Sequence, residues 1–285
     1  MRMARRTGIL LAALAGSCGD DVGGPGTLRV DLVAEVTITE GLKAGPDEED
    51  TRDYSVTYSK FLVAVGHVKL ARTGSGAQRS DPSGYIADLR AIGTTGLTMT
   101  TFEDLPSGQW DQFGYETPVA AVGFQKLGPV SDADVQAMID QQLTYWIEGT
   151  VQSPKPVNFV FKVPVGSQFS ECERDGEPGV AVGEGRTTTA ALTIHGDHVW
   201  FDTVVRGDEA TVNRRTSWLV KSDKDGDGMV TSDDLKSVKA EDVFPTSEGY
   251  NLSGASIATA YDFLRAQLAS QGHLDGEGEC VTTTL

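Results

Sequence analysis

Basic residues are scarce in this chain: 24 Lys and Arg stand against 41 Asp and Glu, a formal charge of −17. A surface this acidic repels nucleic acid and anionic lipid head groups, and it favours cations. Long apolar runs are also missing. The longest, Ile9–Ala15, is too short to span a bilayer as a helix. No repeat recurs at a fixed period. There is no Gly-x-Ser-x-Gly elbow, no Walker-type glycine loop and no His-Glu-x-x-His helix, so the common nucleophile, phosphate-loop and zincin chemistries have no carrier here. Histidine and cysteine are rare, with four and three copies, and this scarcity makes the position of each one informative.

The N-terminus carries Arg2, Arg5 and Arg6, the apolar run, and then Gly16-Ser17-Cys18. A basic start, a short apolar core and small residues before a cut describe a secretory signal over residues 1–17. Leu14-Ala15-Gly16-Ser17-Cys18 resembles a bacterial lipobox, with Leu one residue further from the cysteine than is usual. The resemblance implies lipidation of Cys18; the alternative is an ordinary leader with an incidental cysteine. Residues 18–26 are rich in Gly and Asp and read as a flexible tether. Discarding the three arginines of the leader takes the formal charge from −17 to −20. With Cys18 lipidated, Cys172 and Cys280 remain as an even pair in an exported protein, which predicts one disulfide.

The most specific chemical signal is Asp223-Lys-Asp225-Gly-Asp227-Gly228-Met229-Val-Thr231-Ser-Asp-Asp234. Oxygen donors fall at loop positions one, three, five and nine, with a carboxylate at twelve and a glycine at six, where the chain must turn sharply. A hard divalent cation needs six or more oxygens, and this spacing supplies them with the Met229 carbonyl at position seven. The loop resembles the EF-hand family over about a dozen residues. It departs from the family at Asp234, a shorter carboxylate than the usual Glu. The expected ion is Ca2+, held by Asp223, Asp225, Asp227, Met229, Thr231 and Asp234.

Most of the remaining chain reads as β. Even positions from Leu28 to Ile38 are apolar, Tyr58–Leu70 is Val-rich, Tyr85–Leu89 and Leu97–Phe102 are shorter strand candidates, and Val157, Phe159, Phe161 and Val163 alternate. Short strands separated by Gly, Pro and Asp turns predict a sandwich. Two helical stretches interrupt this pattern. Ser131–Asp134 reads as a capping box followed by Val135, Met138, Ile139 and Trp146. Ile257, Ala260, Tyr261, Leu264 and Leu268 form a helical stripe, with Gly272 placed to end it.

The segments Phe-Leu-Val-Ala-Val-Gly-His-Val-Lys-Leu, Ile-Ala-Asp-Leu and Leu-Pro-Ser-Gly-Gln-Trp occur in this order within residues 27–120. They resemble the prealbumin-like domains of uncharacterised bacterial lipoproteins and, more distantly, periplasmic copper-binding proteins of the methanobactin-associated type. The resemblance implies fold and envelope location, and it transfers no functional residues. The expected architecture is a mainly β, immunoglobulin/prealbumin-like β-sandwich over residues 27–205. An α-helical calcium-binding segment over residues 206–285 carries the EF-hand-like loop, and a Cys172–Cys280 bridge would tie the two into one packing unit.

A second chemical signal is Leu192-Thr-Ile194-His195-Gly196-Asp197-His198-Val199-Trp200-Phe201. Read as a hairpin with a type II′ turn at Gly196-Asp197, it sets Ile194 opposite Val199 and Leu192 opposite Phe201. His195 and His198 then form a cross-strand pair about 5 Å apart. Two imidazoles at that spacing suit copper or zinc better than calcium. Asp197 and the distant His273, flanked by Glu277 and Glu279, are the candidate further ligands. His67 reads as structural. The alternative is a pair of solvent-facing turn histidines.

These features predict a lipid-anchored, calcium-stabilised envelope binding or structural protein, with a copper- or zinc-binding protein as the first alternative and a metal-dependent hydrolase as the second. The expected partner is a membrane reached through the lipid, with no nucleic acid; no protein partner or ligand is specified. Mass spectrometry of the protein made in a bacterial host with its native leader should find acyl chains on an N-terminal Cys18. A lipid-free N-terminus elsewhere removes the anchor.

Overall fold

A computed structural model describes residues 24–205 and 212–285. The expected leader, Cys18 and most of the expected tether lie outside the described residues. The chain is mainly β, 44% strand against 19% helix, and its strands form several sheets consistent with a sandwich.

Two sheets dominate. The smaller runs Gly272–Leu274, Thr187–Ile194, Pro25–Ala34, Leu97–Pro106 in spatial order. The larger runs Met229–Thr231, Val157–Val163, Tyr145–Val151, Val56–Ala71, Gln112–Thr117, Ser167–Ser170, Val281–Thr284, with Gln78–Asp88 also on Val56–Ala71 and Gln125–Leu127 beyond it. One apolar core joins them: Leu28, Val30 and Leu32 from the smaller sheet meet Phe61, Val63, Phe159 and Phe161 from the larger. Side chains alternate across a strand, which explains the Val-rich run at Phe61–Val65. Phe61, Val63 and Val65 enter this core. Leu62 and Ala64 point the other way, into a second cluster with Met138 from the Asp132–Asp140 helix. Both faces of the strand are therefore covered, and its sequence is continuously apolar.

Several expectations hold. Val157–Val163 is a strand with its odd residues buried. Ser131 caps the Asp132–Asp140 helix by accepting from the Asp134 amide. Others change. The first strand ends at Ala34, and Val36–Thr39 forms a helical turn. Leu28, Val30, Leu32, Ala34 and Ile38 are buried, but Val36 is 45% exposed. Trp146 belongs to the Tyr145–Val151 strand and not to the preceding helix.

The last helix spans Ala260–Leu268, begun by a Thr259–Asp262 capping box, and Gly272 does not end it. Gly272 opens a strand instead. A Cβ there would lie 2.3 Å from the Tyr115 hydroxyl and 2.7 Å from the Phe169 ring. Glycine is required at this position because the two sheets meet on it.

Residues from 212 onward contribute strands to both sheets, and Trp218, Leu235 and Phe263 belong to the main core. Among the described residues, no helix is long and apolar enough to cross a membrane.

Cys172 and Cys280 form a disulfide across 108 residues. Beside it, Ser167–Ser170 pairs with Val281–Thr284, and the Glu173 amide donates to the Glu279 carbonyl at 2.8 Å. The bridge therefore secures the final turn of the chain against the larger sheet. Thiol labelling of the unfolded, unreduced protein should leave Cys172 and Cys280 unmodified. Replacing both with Ala should lower the unfolding free energy by up to about 4–5 kcal/mol, the chain-entropy limit for a loop this long. Labelling of either cysteine, or unchanged urea stability in the double variant, contradicts this.

Candidate metal centres

Three of the four histidines converge, and backbone pairing begins the process. Thr187–Ile194 runs antiparallel to Gly272–Leu274 with Thr193 opposite His273. The ladder continues one step further, with the His195 amide donating to the Gln271 carbonyl at 3.0 Å. Diagonal neighbours in such a ladder share a face, so His195 and His273 meet, with ring centroids 4.2 Å apart. The chain then winds into a 3-10 turn, Asp197–Trp200, which carries His198 back to 5.1 Å from the His273 ring and 5.5 Å from the His195 ring. All three are buried. One ring nitrogen from each lies within 4.8 Å of the others.

This geometry replaces the expected hairpin. Gly196 has φ −77° and ψ −21°, a right-handed conformation incompatible with a type II′ turn. Leu192 pairs with Leu274 rather than Phe201, and Phe201 bridges Arg214. Tertiary partners explain the difference. The Tyr58 hydroxyl donates to the Gly196 carbonyl at 2.5 Å and accepts from the Trp200 indole at 2.8 Å. The Gly196 amide donates to Thr37 Oγ1 at 3.2 Å. Arg214 grips Asp197 Oδ2 through Nε at 2.7 Å and Nη2 at 2.6 Å. Asp197 is thereby a buried ion-pair partner that holds the turn. Burial pushes the Tyr58 phenol well up, so it remains a donor.

Proton accounting orients two rings. Ser270 Oγ donates to the Gln267 carbonyl at 2.9 Å, so at 3.3 Å from His198 Nδ1 it accepts. His198 then carries its proton on Nδ1 and presents the Nε2 lone pair, 3.3 Å from His273 Nε2. That spacing suits one N–H···N bond. It also matches the separation of about 3.3–3.4 Å between two nitrogens each about 2.0–2.1 Å from a tetrahedral zinc. His195 Nε2 donates to the Gly276 carbonyl at 2.9 Å, leaving Nδ1 as the nitrogen that could take a metal. A ligand imidazole whose other nitrogen is tied to a hydroxyl or carbonyl is the usual outer-shell arrangement.

Carboxylates surround His195. Its Nδ1 lies 3.7 Å from Glu35 Oε2 and 3.9 Å from Asp197 Oδ1, and these three residues form a second group of potential ligands. Burial alone would pull the His195 pKa down, but Glu35, Asp197 and Glu277, with the Gly276 carbonyl, outweigh it and leave the imidazole above its ordinary value. Burial also raises Glu35, aided by the like charge of Asp197. His67 stands apart, paired at 2.7 Å with Glu116.

The aspartate loop lies between two short helices, Ser217–Ser222 and Ser232–Ser237. Gly228 has φ +82°, and its amide donates to Asp223 Oδ2 at 3.1 Å. The Met229 amide donates to Asp227 Oδ1 at 2.7 Å. Carboxylate oxygens of Asp223, Asp225 and Asp227 gather within 4.8 Å. Asp234 Oδ2 instead closes a capping box, accepting from the Thr231 amide at 2.8 Å and hydroxyl at 2.7 Å. Met229–Thr231 pairs in parallel with Val157–Val163 as the outermost strand of the larger sheet, and the Asn158 amide donates to the Gly228 carbonyl at 2.9 Å. The loop is thus built into the larger sheet.

The sequence pointed to His195, His198, Asp197 and His273, but not to Glu35, Tyr58, Ser270 or Arg214. Glu35 follows an alternating strand with nothing local to mark it, and Ser270 lies just past a helix. Comparison with protein-family models, curated proteins and solved structures finds no match.

Proposed function

We propose that this protein is an exported copper- or zinc-binding module whose resident ion is held by His195 Nδ1, His198 Nε2 and His273 Nε2. One observation carries the reading: three rare histidines, two from one short segment and one from 75 positions further on, meet in a single buried cluster. Burying three imidazoles together gains little from packing and is favoured when an ion binds them. Neutral nitrogen donors select copper or zinc over calcium. Glu35 supplies negative charge beside His195, where Asp197 is already paired with Arg214. The disulfide suits an oxidising compartment, in keeping with export and a lipid anchor at Cys18.

Metal analysis of the purified protein should find about one equivalent of copper or zinc per chain. Calorimetric titration should show a site weakened more than about tenfold by His195→Ala, His198→Ala or His273→Ala. Ser270→Ala should cost about tenfold or more through its hold on His198. Equal affinity in the wild type and the triple histidine variant returns these residues to a purely structural role.

The aspartate loop supports a separate, structural Ca2+ with ligands from Asp223, Asp225, Asp227, the Met229 carbonyl, Thr231 and Asp234, the last once its capping bonds open or through its second oxygen. Without an ion the clustered carboxylates repel one another. An ion that binds only the folded state adds about 2.7 kcal/mol at a free concentration a hundred times its Kd. Calcium should therefore raise the Tm, chelator should lower it, and Asp223→Ala should abolish the difference. A melting curve indifferent to chelator in calcium-loaded protein refutes the stabilising role.

A further inference from the structure

We infer that Gln271 is the fourth protein ligand of the three-histidine centre, contributing its side-chain carboxamide oxygen, Oε1. This rests on the three-histidine reading and goes beyond it by naming a donor of different chemistry.

Backbone register places the side chain. Thr193 stands opposite His273 and Ile194 opposite Gly272. The next step sets His195 opposite Gln271, where the His195 amide donates to the Gln271 carbonyl at 3.0 Å. Directly opposed residues of an antiparallel pair share a face, with Cβ atoms about 5 Å apart. Gly272, between Gln271 and His273, turns its own face toward Tyr115 and Phe169 in the core. Side chains alternate along a strand, so Gln271 and His273 share the other face, the one on which His195 lies. On the far side of His195, the parallel register of Ala34 with Ile194 brings Glu35 to 3.7 Å from Nδ1. His195 therefore stands in a row across three chain segments, between a carboxylate and a carboxamide.

The state of that carboxamide is a second, independent observation. Gln271 is fully buried, and neither Oε1 nor Nε2 has a hydrogen-bond partner among the described residues. A buried polar group left unpaired is costly, and an orphaned one in a native core marks a place for an ion or a water. The nearby carboxylates are engaged elsewhere: Glu35 accepts from Thr37 Oγ1, and Arg214 holds Asp197. Structural zinc sites take four protein ligands, and a Gln oxygen serves as a weak axial donor in some copper centres. The carboxamide is neutral, so it completes the coordination without adding a third carboxylate beside Glu35 and Asp197.

Gln271→Leu in the full-length protein separates a ligand from a structural amide, with cobalt(II) as the probe because its visible bands report the donor set. A ligand role predicts opposite effects on the two states. The metal-free variant should keep or raise its Tm, because the unpaired amide is replaced by an apolar group of similar size. Its cobalt affinity should fall at least about tenfold, and its bands should shift. Gln271→Glu keeps an oxygen donor at the same position but charges it, and should bind cobalt with bands displaced from the wild type. Cobalt affinity and bands unchanged in Gln271→Leu overturn this inference and leave the histidine centre standing. A loss of affinity accompanied by a lower metal-free Tm marks a structural amide and also overturns it. If Gln271→Leu does not fold, Gln271→Glu decides, and bands identical to the wild type overturn the inference. Absence of cobalt binding in the wild type overturns both readings.

Discussion

The antiparallel pairing of Leu192–Ile194 with Gly272–Leu274 is the constraint on which the rest of the candidate centre depends. It is only three residues long, yet it sets His273 diagonally against His195. Its register is held from outside the strands. Gly272 admits Tyr115 and Phe169 where a side chain would collide, and the Tyr115 hydroxyl donates to the His273 carbonyl at 3.2 Å. A one-residue slip would put His273 on the opposite face and a side chain against Tyr115. The disulfide a few residues on anchors the outgoing chain to the larger sheet. A short strand near the C-terminus is in this way kept in one position by core packing and a covalent tie.

Polar groups in this region form a connected set, as burial demands. Trp200 donates to Tyr58 and Tyr58 to Gly196, which fixes the turn that returns His198. Arg214 neutralises Asp197, which would otherwise be a buried uncompensated charge. Ser270 and Gly276 each take one imidazole proton. His198 Nε2 then lies 3.3 Å from His273 Nε2, and His195 Nδ1 lies beside Glu35 and Asp197. This assembly draws on both sheets, the final helix and the segment after the 3-10 turn, so the centre forms only when the fold is complete.

The aspartate loop uses the same sheet differently. Its short strand, carrying the fully buried Val230, extends the larger sheet at the Val157–Val163 edge. Edge strands present unpaired backbone groups, and here the loop covers them. Order in the loop and order at the sheet edge are thereby linked, and an ion bound by the aspartates would stabilise both.

Much of this was legible in the sequence because it depends on local spacing. Period-two alternation marked Val157–Val163, Ser131 marked a helix start, and the spacing of Asp223, Asp225 and Asp227 marked a carboxylate cluster, since all its members come from one turn of chain. Parity and compartment paired Cys172 with Cys280. Rarity marks His273, but nothing local brings it to His195. The turn at Gly196 is not decided locally, because a two-residue hairpin and a 3-10 turn share the same local composition. Tyr58, Thr37 and Arg214, each remote in sequence, decide between them through bonds to Gly196 and Asp197. Local chemistry determined which segments are strands and helices and where the aspartates cluster; long-range packing and buried hydrogen bonds decided which histidines meet, because their energies exist only once distant residues are adjacent.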